Sequence, residues 1–211
     1  MVSKNSWKIT QALQKFKLPK NLAYNKLGEF MDYKILVNKD NKLEDNYAPL
    51  NLVKTDSKYK DNIYLEEKTY EQFKKLQTDA LKYNYHFDIS SGYRDYNYQE
   101  KIFNELVNEK GYNYAYKYIA KPGYTEHQTG LALDIVVYKD DKSYIEHDIE
   151  NLIETKWLHQ NAHKYGFIVR YPLDKEEITN YAYEPWHLRY VGDLAPYLYN
   201  TNQTLEEYLK K

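Results

Sequence analysis

Apolar residues recur at a period of two in some stretches of this chain and at helical spacing in others, and the two patterns are interleaved. Over residues 131–138 the run Leu-Ala-Leu-Asp-Ile-Val-Val-Tyr reads as a strand, with Leu131, Leu133, Ile135 and Val137 on the packing face. Ala132, Asp134 and Val136 share the opposite face. Residues 35–37, 86–91 and 167–171 predict further strands, and another short one ends at His187. Helical spacing predicts a helix over 67–83 through Tyr70, Phe73, Leu76, Ala80 and Leu81. A second covers 96–107 through Tyr98, Ile102, Phe103 and Leu106 and stops at Gly111. A third runs over 149–165 through Leu152, Ile153, Trp157, Ala162 and Tyr165, capped by Gly166. At the N-terminus Trp7, Leu13 and Phe16 fit a short amphipathic helix that ends at Leu18-Pro19.

Helices that precede and interrupt short strands favour an α+β domain over a doubly wound one. A chain of 211 residues builds one core of ordinary size. Residues 1–30 read as a helical lead and connector, and residues 31–211 as the domain that carries the chemistry. Lys and Arg number 30 and Asp and Glu 31, so a net charge of −1 offers no broad field for nucleic acid or an anionic membrane. Cysteine is absent, which excludes disulfides, thiolate metal sites and a cysteine nucleophile. No segment reaches the roughly 18 apolar residues of a membrane span. Lys8 and the neighbouring Gln residues interrupt what an export signal would need as a continuous apolar run. A cytoplasmic location is expected if Met1 is the native start, and an extracytoplasmic one if a leader has been removed. A monomer is expected. Of the 26 tyrosines, the cluster Tyr112, Tyr114, Tyr116 and Tyr118 reads as half-buried filling, with a sugar- or peptide-stacking surface as the alternative.

Candidate chemistry concentrates in two short stretches, residues 125–134 and Glu184-Pro185-Trp186-His187. His127, Asp134 and His187 supply two imidazoles and one carboxylate, a set that leaves Zn²⁺ a fourth position for water. Glu184, three residues before the last ligand, is placed to act as general base. His127 precedes Asp134 by seven residues, an odd offset that would put the two on opposite faces of one unbroken strand. A bend is therefore required, and Gly130 is the residue best able to supply it. Trp186 is expected to wall one side of the cleft. His159 and His163 share an i, i+4 spacing but lack the glutamate of a helical zinc motif, and are expected to face solvent. His86 and His147 read as ordinary. Glu66-Glu67-Lys68 and Asp174-Lys175-Glu176-Glu177 read as solvated faces or loops.

These residues resemble the VanY-type zinc D-alanyl-D-alanine carboxypeptidases and their L,D-carboxypeptidase relatives, which trim peptidoglycan stem peptides. The shared pattern is a hydroxyl residue two before a His, then Gly-x-Ala-x-Asp, then Glu-Pro-Trp-His. The likeness extends to Ser91-Gly92-Tyr93-Arg94 with Gln99, to Gly166 through Pro172, and to the stretch after His187, spanning roughly residues 35–200. It implies a small central antiparallel sheet flanked by helices, the D-Ala-D-Ala carboxypeptidase or hedgehog-like fold. It also implies Zn²⁺ on His127, Asp134 and His187, with Glu184 as base. Arg94 is implied as the cation at the scissile carbonyl or a substrate carboxylate, and Thr125 and Gln99 as substrate contacts. A fixed cation beside a polarised carbonyl is physically apt, because it stabilises charge that develops only in the transition state. The chain departs from the pattern in carrying Thr125 where Ser is usual, which adds a methyl, and Asp95 where Ser is usual, which adds a charge beside Arg94. The implied substrate is a stem peptide or its precursor ending in D-alanine. An L,D-carboxypeptidase, a phage-lysin-type endopeptidase and a non-enzymatic wall-binding module are the alternatives.

Overall fold

The computed structural model describes residues 31–210. The lead helix and connector predicted for residues 1–30 lie outside them. Strands β1 (Leu52–Lys54) and β2 (Tyr64–Glu66) form a two-stranded antiparallel sheet. The main sheet has five strands: β3 (His86–Ser91), β4 (Ala132–Lys139), β5 (Lys142–Ile145), β6 (Phe167–Val169) and β7 (His187–Tyr190). Its order is β3-β4-β7-β6, with β5 paired to the far half of β4, and every pairing is antiparallel. The architecture is the α+β arrangement with a central antiparallel sheet.

The alternation along β4 decides what packs. Leu131, Leu133, Ile135 and Val137 are fully buried in one core with Phe73, Leu76, Phe167 and Leu188. Helix α1 (Glu67–Ala80) covers this face with Phe73, Leu76 and Ala80. Contrary to the solvated reading, Glu66 is buried, and its side chain caps α1 by accepting from the Thr69 amide at 2.8 Å. Leu81 is 53% exposed rather than core, because the chain tightens to a 3₁₀ turn at residues 81–83 and loses the helical phase.

Helix α2 (Tyr96–Lys110) buries Phe103 and Gln99 while Tyr98 faces outward. Past Gly111 a short helix, α3 (Tyr112–Tyr118), appears where no helix was expected. It buries only Ala115, so Tyr112, Tyr114, Tyr116 and Tyr118 are exposed, not half-buried filling. The predicted 149–165 helix is broken into a 3₁₀ turn at 146–149, helix α4 (Ile153–Asn161) and a second 3₁₀ turn at 162–165. Its phase restarts at Leu152, so Leu158 points inward and Ile153 is 58% exposed. Residues 35–37 form no strand. The carbonyls of Tyr33 and Ile35 accept instead from the Arg189 guanidinium, at 3.2 and 2.8 Å. Helices α5 (Glu176–Thr179), α6 (Ala195–Thr201) and α7 (Leu205–Leu209) complete the chain. Among the described residues no helix is long and apolar enough to cross a membrane.

Candidate metal centre

The centre lies where β3, β4 and β7 meet. Asp134 and His187 are cross-strand partners in the β4–β7 register, so both side chains leave the same face of the sheet. Asp134 also pairs with Ser91 at a register shift near the end of β3, and three residues on the chain reaches Arg94. His127 belongs to a 3₁₀ turn, Glu126–Thr129, that Thr125 caps and Gly130 closes at φ +70°. That left-handed glycine is the bend the odd offset demands. It turns the chain from the His127 turn into β4.

The three ligand atoms converge. His127, Asp134 and His187 each offer one atom within 4.8 Å of the others. His127 Nε2 lies 3.4 Å from Asp134 Oδ2, and His187 Nδ1 lies 3.2 Å from Asp134 Oδ1. The two imidazole rings stand nearly perpendicular. His127 Nδ1 lies 2.7 Å from the Gly92 carbonyl, to which it donates, and this leaves the Nε2 lone pair free for a ligand bond. Burial and the Arg94 charge push the His127 pKa down to about 4, so the ring is neutral and ready to coordinate. Burial works against an ionised Asp134, yet the two imidazoles hold its carboxyl well below the usual range. His187 is pushed down by burial but raised further by Asp134, Glu126 and Glu184, to about 9. Carboxylates crowded around one imidazole demand positive charge, from a proton or a dication. Buried Asp134 Oδ1 has no hydrogen-bond partner, which fits a cation-binding donor set.

Glu184 Oε2 lies 3.5 Å from His187 Nδ1, on the same side as the ligand atoms. Burial, reinforced by the Asp134 and Glu126 charges, pushes its pKa up to about 7 against the opposing pull of His187 and Arg94. The Glu184 amide donates to the Tyr171 carbonyl at 3.0 Å, fixing the loop before β7. Arg94, Asp134 and Trp186 line one open cleft of about 900 Å³ with Tyr93, Tyr98 and Glu146. Arg94 Nε is buried without a hydrogen-bond partner. Trp186 packs edge-on against His147 at 4.8 Å. Thr125 and Gln99 each make a local hydrogen bond. The Thr125 hydroxyl accepts from the His127 amide at 3.3 Å, and the Gln99 amide donates to the Ala120 carbonyl at 2.7 Å. His159 and His163 are half-buried rather than fully solvent-facing. His159 Nε2 lies 2.9 Å from the Pro185 carbonyl, bracing the Glu184–His187 loop, and His163 stacks on Tyr199.

Behind the ligands lies a buried ion network that the sequence reading missed. Glu126 Oε1 accepts from Arg170 Nε and Arg189 Nη1, each at 2.6 Å. Arg170 also makes a two-pronged pair with Glu206 of α7, at 2.9 and 2.6 Å. Burial opposes ionisation of Glu126, but the Arg170 and Arg189 charges outweigh it and hold the carboxyl far below its usual value. The available signal was an arginine inside each of two apolar strand patterns, Ile168-Val169-Arg170-Tyr171 and His187-Leu188-Arg189-Tyr190. A buried arginine requires a buried acid.

A small antiparallel sheet presenting two histidines and an aspartate to one point, with a glutamate and an arginine beside them, defines a metallopeptidase-type domain. The chain belongs to the VanY family, D-alanyl-D-alanine carboxypeptidase, which it matches over residues 62–193. It is 41% identical over 182 residues to YodJ of Bacillus subtilis, provisionally named a carboxypeptidase, covering 83% of this chain. It is 40% identical over 150 residues, 70% of this chain, to a D-alanyl-D-alanine carboxypeptidase of Enterococcus faecium. The chain spans 66% of the first relative's length and 45% of the second's. Among solved structures, the LdcB LD-carboxypeptidase superposes with a TM-score of 0.77 at 42% identity, covering 83% of this chain and 85% of that one. The vancomycin-resistance D,D-pentapeptidase VanY of the VanB-type cassette, solved with Zn(II), gives 0.72 at 32% identity, covering 85% and 99%.

Proposed function

We propose that the protein is a zinc-dependent carboxypeptidase that removes the terminal D-alanine from peptidoglycan stem peptides. The observation that carries this reading is the convergence of His127 Nε2, Asp134 and His187 Nδ1 beside Glu184 at a cleft wall that includes Arg94. His127, Asp134 and His187 would hold the zinc. When bound, zinc lowers the pKa of water and polarises the scissile carbonyl.

Glu184 accepts the proton of the attacking water and passes it to the leaving amine. Its burial keeps its pKa close to the working range, so one carboxyl serves as base and then as acid. Arg94 keeps its buried Nε without a hydrogen-bond partner and directs its charge at the carbonyl oxygen or the substrate's terminal carboxylate. Trp186 walls the pocket. Thr125 and Gln99 hold the His127 turn and the Ala120 backbone in register.

An L,D-preference, cutting the tetrapeptide stem, is the second reading, favoured by the 0.77 superposition on LdcB. Incubating the zinc-loaded protein with defined penta- and tetrapeptide stems, with products identified by mass, tests both. Free D-alanine from the pentapeptide supports the first reading, and free D-alanine from the tetrapeptide alone supports the second. Intact peptides, or fragments larger than one residue, overturn both.

A further inference from the structure

We infer that Glu126 is the positioning residue of the metal centre: its second carboxylate oxygen holds His187 by Nε2, so that Nδ1 is the atom offered beside Asp134. The inference rests on the zinc reading above. Glu126 is 1% exposed and divides its two oxygens between different tasks. Oε1 is taken by Arg170 and Arg189. Oε2 is buried without a hydrogen-bond partner, and so is His187 Nε2. These two orphans face each other at 3.4 Å across the ring from Asp134. A ligand bond at Nδ1 requires the remaining ring proton on Nε2, and the buried acceptor opposite it is Glu126 Oε2. Closing that gap by a few tenths of an ångström yields a charge-assisted hydrogen bond, which fixes the ring's tilt and raises the basicity of Nδ1.

The rest of the network explains how this buried charge is balanced in the interior. Arg170 and Arg189 balance Glu126 and Glu206, and Arg189 is anchored on the carbonyls of Tyr33, Ile35 and Tyr190. Asn38 donates to Glu206 at 3.1 Å. Glu126 is thus clamped through Oε1, and Oε2 is presented to His187 without freedom to swing away. A purely structural salt-bridge hub would not need an oxygen left over on the histidine side.

Glu126→Gln separates the two roles. The arginines retain the amide oxygen, so the NH₂ group faces His187 Nε2 and sets a donor against the Nε2–H that metal binding requires. Zinc affinity, read by competition with a chromophoric chelator, is expected to fall ~10–100-fold, the usual cost of losing an outer hydrogen bond to a ligating histidine. Glu206→Gln breaks the same network one residue further from the metal. It is expected to lower the thermal midpoint while leaving zinc affinity unchanged. An equal loss of affinity in the two variants would show that Glu126 acts only through the fold and would overturn the inference. A third measurement needs no variant. Long-range ¹H–¹⁵N spectra of the zinc-loaded wild type should show the His187 proton on Nε2, shifted downfield and slow to exchange. A proton on Nδ1 with zinc on Nε2 overturns the inference while leaving the zinc reading intact, whereas wild-type protein that takes up no zinc overturns the zinc reading itself.

Discussion

Asp134 and His187 are direct cross-strand partners, and the antiparallel register of β4 against β7 alone brings Oδ1 of one to 3.2 Å from Nδ1 of the other. Residues far apart in the chain become one donor pair because the sheet sets their separation. A slip of one residue on either strand would send one side chain to the opposite face. The centre is therefore as rigid as the hydrogen-bond ladder beneath it. Asp134→Asn keeps the shape and removes the charge, so the fold should survive. Zinc affinity should drop by more than the ~10–100-fold typical of an outer-shell change, measured by chelator competition. Undiminished affinity would exclude Asp134 from the ligand set.

Glu184 is expected to separate binding from turnover. Glu184→Gln has no proton-accepting carboxylate yet leaves His127, Asp134 and His187 untouched. Zinc content should remain stoichiometric while kcat falls ~10²–10⁴-fold, the usual contribution of a positioned base. In the wild type the rate should rise with pH through an acid limb, because the protonated form of Glu184 accepts nothing. Burial together with the surrounding protein charges sets that limb near pH 7, and a neighbouring dication, which favours the ionised form, moves it lower. A pH profile of kcat/KM over the range 5–9 reads it directly, and a flat profile would remove Glu184 from the role of base.

Metal uptake should release a proton from His187. Its pKa is raised to about 9 by surrounding carboxylates, so at neutral pH the metal-free ring is protonated, and the Nδ1 proton must leave before a ligand bond forms. His127, pushed down to about 4, contributes no such competition at neutral pH. Apparent zinc affinity should therefore climb as pH rises toward 9 and level off above it. Calorimetry in buffers of different ionisation enthalpy counts the protons, and zero protons released at pH 7 would contradict the assignment of His187 as a ligand.

Much of this centre was legible in the chain because its parts are local. The alternation through β4 identified which residues pack, and the odd His127–Asp134 offset required the bend that Gly130 supplies. The elements that went astray did so for both distant and local reasons. Residues 35–37 have a strand's composition, but the Ile35 carbonyl, like that of Tyr33, is claimed by Arg189 from across the domain. The long helix predicted over residues 149–165 breaks where the chain turns at Glu150 and Asn151, and its phase changes at the break. Glu126 was overlooked because a glutamate next to a ligand histidine carries no periodicity of its own. Its meaning comes from Arg170 and Arg189, which lie 44 and 63 residues away and meet it only in the folded interior.

Gly130 is the point at which that bend can be tested apart from the chemistry. Its φ of +70° lies in the left-handed region, where an L-residue costs of order 1–3 kcal/mol when held by its surroundings. A methyl group there would also meet Pro49 Cγ at 3.0 Å and the Glu66 amide nitrogen at 3.1 Å, and that amide donates to the Gly130 carbonyl. Gly111, at φ +88° and ψ 159°, sits in a region that L-residues scarcely enter, but has nothing within 4 Å of an added carbon and lies outside the turn that carries His127. Gly111→Ala therefore serves as a backbone-strain control away from that turn, whereas Gly130→Ala puts strain and crowding on the turn itself, against the segment that caps α1. Each kcal/mol lost should lower the thermal midpoint by ~2–4 °C in a domain of this size, so both variants should melt below the wild type. Gly130→Ala should also weaken zinc binding, because the turn that carries His127 moves relative to Asp134, whereas Gly111→Ala should bind zinc as the wild type does. Equal zinc affinity in the two variants would mean that the bend at Gly130 does not set the distance between the two ligands.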